Sequence, residues 1–235
     1  RCTMKDSFAD LGNTMLLKDR VYRTLKTEII LGHFKAGQRL NMLELANSMN
    51  ISSAPIREAL NMLCKDGFVI LNPRKQAIVA ESNLDGWQVL TDLRRMLEPY
   101  AARLSAGHIP PADIAAARAM VEKVIENPAD VYAYVASDMA VHELIHANTG
   151  SKVLSDILTT VKEHSMRIRY YAEKFDDEDS PDKMKITVTS SKEHLKILDA
   201  LETKDPDIIY RELLSHISNH ISRVVSHEKS LNQQP

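Results

Sequence analysis

Cysteine is almost missing from these 235 residues: only Cys2 and Cys64 occur. Neither has the spacing of a metal site or a redox motif, which excludes a disulfide scaffold and a cysteine-bound zinc, and both read as free thiols. Long apolar runs are missing as well. No stretch approaches the roughly 20 residues needed to cross a bilayer, so no membrane partner is expected. The opening Arg1-Cys2-Thr3-Met4-Lys5-Asp6 lacks the apolar core of a signal peptide, and a cytoplasmic location is expected. Internal repeats and low-complexity tracts are absent, and aromatic residues make up only 5% of the chain. What is there, 44% hydrophobic and 26% charged, is the composition of a globular protein long enough for two domains. Residues 1–14 show no periodicity and read as a flexible tail.

Against this plain background one stretch has specific grammar: Ile51-Ser52-Ser53-Ala54-Pro55-Ile56-Arg57-Glu58-Ala59-Leu60. Ser52 and Ser53 can cap free N–H groups, and Pro55 suits a first turn, where its missing N–H costs nothing. A helix therefore starts here. Ile56, Leu60 and Leu63 recur at helical spacing and face inward, which leaves Ser53, Ala54 and Arg57 on an outer surface near the N-terminus. A shorter helix over Met42 to Met49 precedes it, with Asn41 and Glu44 spaced as a cap and its partner and a tight Asn50-Ile51 connection. An ordinary packed helix pair would show the same features. The following residues favour a reader of DNA. Gly67 is placed to end the second helix in a left-handed conformation, and Phe68-Val69-Ile70-Leu71 and Ala77-Ile78-Val79 read as two strands joined by a tip that carries Arg74 and Lys75. The pattern is a winged helix-turn-helix whose tip cations suit backbone phosphates or the minor groove. One further helix, from Val21 to Leu31, packs behind the pair.

Residues about 17 to 80, with Gly32-His33-Phe34-Lys35-Ala36-Gly37-Gln38-Arg39-Leu40, Leu45-Ala46 and Pro55-Ile56-Arg57-Glu58-Ala59-Leu60, resemble the DNA-binding domain of the GntR family of bacterial regulators. The resemblance implies that Arg57 reads bases, a role its fork suits because it can take O6 and N7 of guanine together. Ser52, Ser53, Arg39, Arg74 and Lys75 complete the expected DNA-facing set. Relatives usually carry Arg where this chain has Ser53 and Gly where it has Gln76, so the operator cannot be copied from them.

From Trp87 onward strand signals nearly vanish. Helical segments are expected at about 85 to 106, 111 to 126, 129 to 147, 151 to 174, 190 to 203 and 207 to 227, broken at Gly107, Pro110-Pro111, Asn127-Pro128, Gly150, Ser180-Pro181 and Asp205-Pro206. The acidic stretch Asp176 to Asp182 reads as a mobile loop. The expected fold is thus mainly α: a winged helix-turn-helix over residues 15–82, then an all-α bundle of six to seven helices over 83–235. Charge divides the same way. Residues 15–82 hold ten Lys/Arg against six Asp/Glu, and residues 83–235 hold 18 against 24. One part suits contact with phosphates and the other suits facing away from them.

The chemistry of the helical part lies in its histidines. Asp138 and His142 are neighbours on one helix face; His194 and His216 follow on later helices. Taken singly, each has a dull explanation as a solvated or hydrogen-bonded residue. Together they resemble the FCD domain of the FadR-like branch of the GntR family, in which an Asp-x-x-x-His pair and two later histidines converge on one metal. The resemblance implies Asp138, His142, His194 and His216 as ligands. A mixed nitrogen and oxygen set suits a divalent ion such as Zn²⁺, with Ni²⁺ or Mn²⁺ as alternatives, and leaves coordination open for a small organic acid. Arg94 matches an arginine the family places in its first FCD helix, and it can grip an acid's carboxylate; a salt bridge at the surface is the plainer role. His220, one turn beyond His216, is a further effector-side candidate, and His146, His164 and His227 carry no assignment. By the same resemblance the expected assembly is a homodimer on a pseudo-palindromic, double-stranded operator.

Two rivals stand beside this reading. His142-Glu143-Leu144-Ile145-His146 matches the His-Glu-x-x-His pattern of zinc peptidases, but no strand that would bind a substrate accompanies it. In the other, the metal is purely structural and the helical domain serves folding and dimerisation, with no small-molecule effector. The expected protein is a ligand-responsive transcription regulator and not an enzyme.

Overall fold

Local start and stop signals govern the first helices of the computed structural model, which describes residues 15–72, 76–81, 86–172 and 181–231. Helix α1 (Leu17–Ile30) buries Val21, Leu25 and Ile29 on one face. Helix α2 (Met42–Met49) begins at Asn41, whose side chain accepts from the N–H groups of Leu43 (3.0 Å) and Glu44 (3.5 Å), while its amide donates to Glu44 Oε1 (2.9 Å). It ends at Asn50, left-handed at φ 54°, a conformation Asn tolerates better than most residues. Helix α3 (Ser53–Lys65) follows at once. Its end is a Schellman motif: Gly67, at φ 79°, donates to Cys64 O (3.1 Å) and Phe68 N–H to Leu63 O (2.9 Å). The Phe68 ring is thereby turned fully into the core.

Three short strands follow the order β1-β3-β2, all antiparallel. Strands β2 (Val69–Leu71) and β3 (Ala77–Val79) were expected; β1 (Arg39–Leu40) was not. Two residues are too few to show an alternating pattern, and Arg39 and Leu40 become a strand only because Ile78 and Ala77 pair with them. The wing-tip residues Arg74 and Lys75 lie outside the described residues.

The chain divides into two units, Arg1–Leu84 and Asp85–Pro235. In the first, α1 and α2 pack on α3, around Val21, Leu25, Ile56, Leu60, Leu63 and Phe68. The second unit contains, among the described residues, α4 (Trp87–Ser105), α5 (Pro111–Glu126), α6 (Val131–Ala147), α7 (Lys152–Ala172), α8 (Pro181–Thr203) and α9 (Pro206–Leu231). Helix α8 begins nine residues before the expected start at 190. Pro181 is its first residue, where a missing N–H is harmless, and the β-branched run Ile186-Thr187-Val188-Thr189 had masked the helix. Pro181 and Asp182, expected in a mobile loop, are therefore helical, and the remainder of that loop, 176–180, lies outside the described residues. Helix α4 packs on α9, α7 and α6, and α8 packs on α5, α9 and α6. The shared core includes Ala101, Val121, Val141, Ile145, Leu198 and Leu213. Burial of side chains of this size stabilises by about 1.5–3 kcal/mol each for the larger ones.

Candidate functional site

On α3 the inward positions Ile56, Ala59, Leu60 and Leu63 are at most 1% exposed, which fixes the roll of the helix. Ser52, Ser53, Ala54, Arg57 and Glu58 then stand in solvent, as does Arg39 on β1. Ser52 occupies the cap position in extended conformation, yet its hydroxyl makes no capping bond. The expected Ser52 cap is thus an N-terminus with free N–H groups and a free hydroxyl, an arrangement that suits a phosphate. Pro55, third in the helix, has no N–H to satisfy. Glu58 is held near Lys18 (3.8 Å), and Arg57 has no ion-pair partner among the described residues.

In the helical unit, Asp130 caps α6 by accepting from Ala133 N–H (2.9 Å), and α6 then presents Asp138 and His142 one turn apart. Helix α8 brings His194 and α9 brings His216. None of the four is more than 4% exposed, and one potential ligand atom from each lies within 4.8 Å of the others. Ring centroids are 4.7 Å apart for His194 and His216, 5.5 Å for His142 and His216, and 5.7 Å for His142 and His194. The four sequence-expected ligands are therefore neighbours, although they come from three helices.

Two carboxylates orient two of the rings. His142 Nδ1 is 2.7 Å from Glu98 Oε2, and His216 Nδ1 is 2.9 Å from Glu193 Oε2. An ionised carboxylate can only accept, so each Nδ1 carries the hydrogen and each Nε2 keeps a lone pair. Burial favours a neutral Glu98, but Arg94 and His142 outweigh it and hold the carboxyl well below its usual range. Burial likewise pushes His142 well down and His216 down to about 3, so both rings are neutral, the form that binds metal. His142 Nε2 and both nitrogens of His194 make no hydrogen bond although all are buried. Each such orphan costs about 1–3 kcal/mol. A divalent ion would satisfy them together, so the donor set fits one.

Arg94 does not lie at the surface. It is 2% exposed and its Nε and Nη2 donate to Glu98 at 2.5 and 3.5 Å. Pro99 beside it removes one helical hydrogen bond, the one that would end on the Arg95 carbonyl. The side chain of His220 lies outside the described residues. Glu143, the would-be peptidase base, is exposed and accepts from Thr159 (3.3 Å), turned about 100° round α6 from His142. It cannot serve an ion held by His142.

Four residues went unassigned in the sequence. Glu98 and Glu193 carried no signal beyond helical spacing. His146 is buried beside His142 (6.1 Å between ring centroids), its Nε2 unpaired, and burial lowers it to about 4. Lys162 on α7 is 2% exposed, with Nζ 2.6 Å from Asp138 Oδ2 in a buried ion pair. Burial lowers Lys162 to about 8, still charged at neutral pH, while Asp138, whose burial is outweighed by Lys162 and His194, stays well below its usual range.

Known proteins share both halves. The pattern described as bacterial regulatory proteins, gntR family, matches residues 17–79, and the FCD domain matches residues 89–219. The Nta operon transcriptional regulator of Aminobacter aminovorans is 27% identical over 82% of this chain and 87% of its own. The HTH-type transcriptional regulator YdhC of Bacillus subtilis is 25% identical over 88% of this chain and 92% of its own. In fold, the chain is similar to Escherichia coli McbR/YncC, with a TM-score of 0.74 at 20% identity, over 92% of this chain and all of that one. These relatives are regulators and not enzymes. The winged helix-turn-helix and the helical domain behind it thus place the chain in the GntR family of bacterial regulatory proteins with a C-terminal FCD domain, as a DNA-binding transcriptional regulator.

Proposed function

We propose that this regulator holds one divalent ion, zinc foremost, on Asp138, His142, His194 and His216, and that a small organic acid bound at or beside the ion changes its affinity for an operator. The observation that carries the reading is the convergence of four buried ligand groups, with unpaired nitrogens on His142 and His194 and with Glu98 and Glu193 orienting the rings of His142 and His216. The ion supplies Lewis acidity toward a carboxylate or hydroxyl. Arg94, already paired with Glu98, would share its guanidinium with the acid, and His220 would be a further effector contact. Residues 83–235 would carry effector and dimer contacts, and residues 15–82 the DNA contacts: Arg57 to bases, with Ser52, Ser53, Arg39, Arg74 and Lys75 around it. As a homodimer it would read two half-sites of a pseudo-palindrome, and an acid favouring one arrangement of the dimer would shift the spacing of the readers. Such a protein works in the cytoplasm; no helix among the described residues is long and apolar enough to cross a membrane.

Elemental analysis of the purified, untagged protein tests the ion directly. Near one metal per chain in wild type, lost in His194→Ala and in His216→Ala, is expected. No metal after refilling and removal of excess would end the reading. The deep burial of all four residues also favours a purely structural ion. Titration of small acids separates the two: a structural ion predicts no metal-dependent change in operator affinity on adding any of them.

A further inference from the structure

Four fully buried charged groups in the cluster cancel without any ion, and Glu193, less deeply buried against His216, adds one negative charge at its edge. Asp138 and Glu98 are anionic, Arg94 and Lys162 cationic, and none is more than 2% exposed. Glu98 belongs to Arg94 and His142. Asp138 belongs to Lys162, whose Nζ is 2.6 Å from Oδ2, closer than His194 Nε2 is to Oδ1 (3.4 Å). A divalent ion taking Asp138 as a ligand would therefore meet an ammonium already there, with little water between them to screen the repulsion.

Resting on the metal reading above, we infer that Lys162 is an internal competitor for the metal: it holds Asp138 in the ion-free protein, must give it up when the ion enters, and makes ion uptake depend on an accompanying anion. The released ammonium and the ion together leave the cluster with surplus positive charge, and a small carboxylate neutralises part of it. Metal and acid then enter as a pair, each strengthening the other, because each supplies what the other's binding takes away. Lys162 is a positioning residue in this scheme. It sets the affinity without ligating the ion.

The test compares wild type with Lys162→Met and Lys162→Gln, the second keeping a polar end if the first folds poorly. Zinc affinity is read by competition with a chromophoric chelator, with and without acetate, and thermal midpoints are read with and without zinc. The variants are expected to bind zinc roughly tenfold more tightly or better, since they lack the competing charge. Their ion-free forms are expected to melt below ion-free wild type, because Asp138 loses its partner, and zinc should raise their midpoint more than that of wild type. Acetate should strengthen zinc binding to wild type more than to the variants, whose zinc-loaded cluster carries one positive charge fewer. A residue of merely structural use would weaken both forms alike. Equal or weaker zinc binding by both variants, or an equal acetate effect in all three proteins, overturns the inference while the metal site stands. No zinc in any of the three overturns the metal reading and this inference together.

Discussion

Helix α3 and the histidine cluster keep their candidate functional side chains under opposite conditions. On α3 the buried face is wholly apolar, and Arg57, Ser52 and Ser53 stand in water with the main chain fixed by the Asn50 turn and the Gly67 motif. In the helical unit Asp138, His142, His194 and His216 are themselves part of the buried face, with Glu98, Arg94 and Lys162 beside them. The first arrangement separates stability from function. The second binds them together, because a buried charge that loses its partner destabilises the fold as well as the site.

The largest expected effect breaks the buried arrangement. Glu98→Ala strands Arg94 and removes the acceptor that orients His142, and it should lower unfolding free energy by about 3–5 kcal/mol in urea at pH 7. A loss below about 1 kcal/mol would mean that water reaches the pair and that the two regions are less different than their burial implies.

Next comes pH. Burial lowers His146 to about 4 and His216 to about 3 in the folded chain, against about 6.5 when unfolded. As pH falls through 6.5 the unfolded chain takes up protons first, so stability should drop, by up to about 1.4 kcal/mol per histidine per pH unit, until the folded rings titrate. Chelator-treated protein denatured at pH 7 and at pH 5.5 provides the measurement. Equal stability at the two values would show rings that are open to solvent.

Arg57→Ala should do the reverse of Glu98→Ala. It should cost on the order of 1–3 kcal/mol on an operator selected from random duplexes, with unfolding changed by less than about 0.5 kcal/mol. Anisotropy at fixed salt decides, and a smaller loss on the operator than on random DNA would contradict base reading. The smallest effect sharpens the same contrast from the other side. Asn41→Ala removes a cap that touches neither ligand, and about 1 kcal/mol of stability should go with it.

Where a boundary depends on neighbours in sequence, it was readable. Met42–Met49 emerges with the expected ends because Asn41 and Asn50 act within one turn, and Gly67 stops α3 for the same reason. The pairing of Arg39–Leu40 with β3 and the early start of α8 were not readable, since the first needs a partner strand and the second contradicts local propensity. Within the cluster, helical spacing put Asp138 and His142 on one face, and only the family resemblance joined them with His194 and His216 as a ligand set. Glu98, Glu193 and Lys162 had no signal of their own: a glutamate or lysine in a helix is usually solvated, and only packing shows otherwise.

The sequence by itself therefore determined the helix over Ser53–Lys65, its Gly67 stop and the exposed Arg57, because these rest on hydrogen bonds and periodicity within a few residues. Only the tertiary structure decided which charges face the histidines. Helices α4, α6, α7, α8 and α9 converge there from residues as far apart as 94 and 216, and an ion pair such as Lys162 with Asp138 gains its strength from a burial that no single helix supplies.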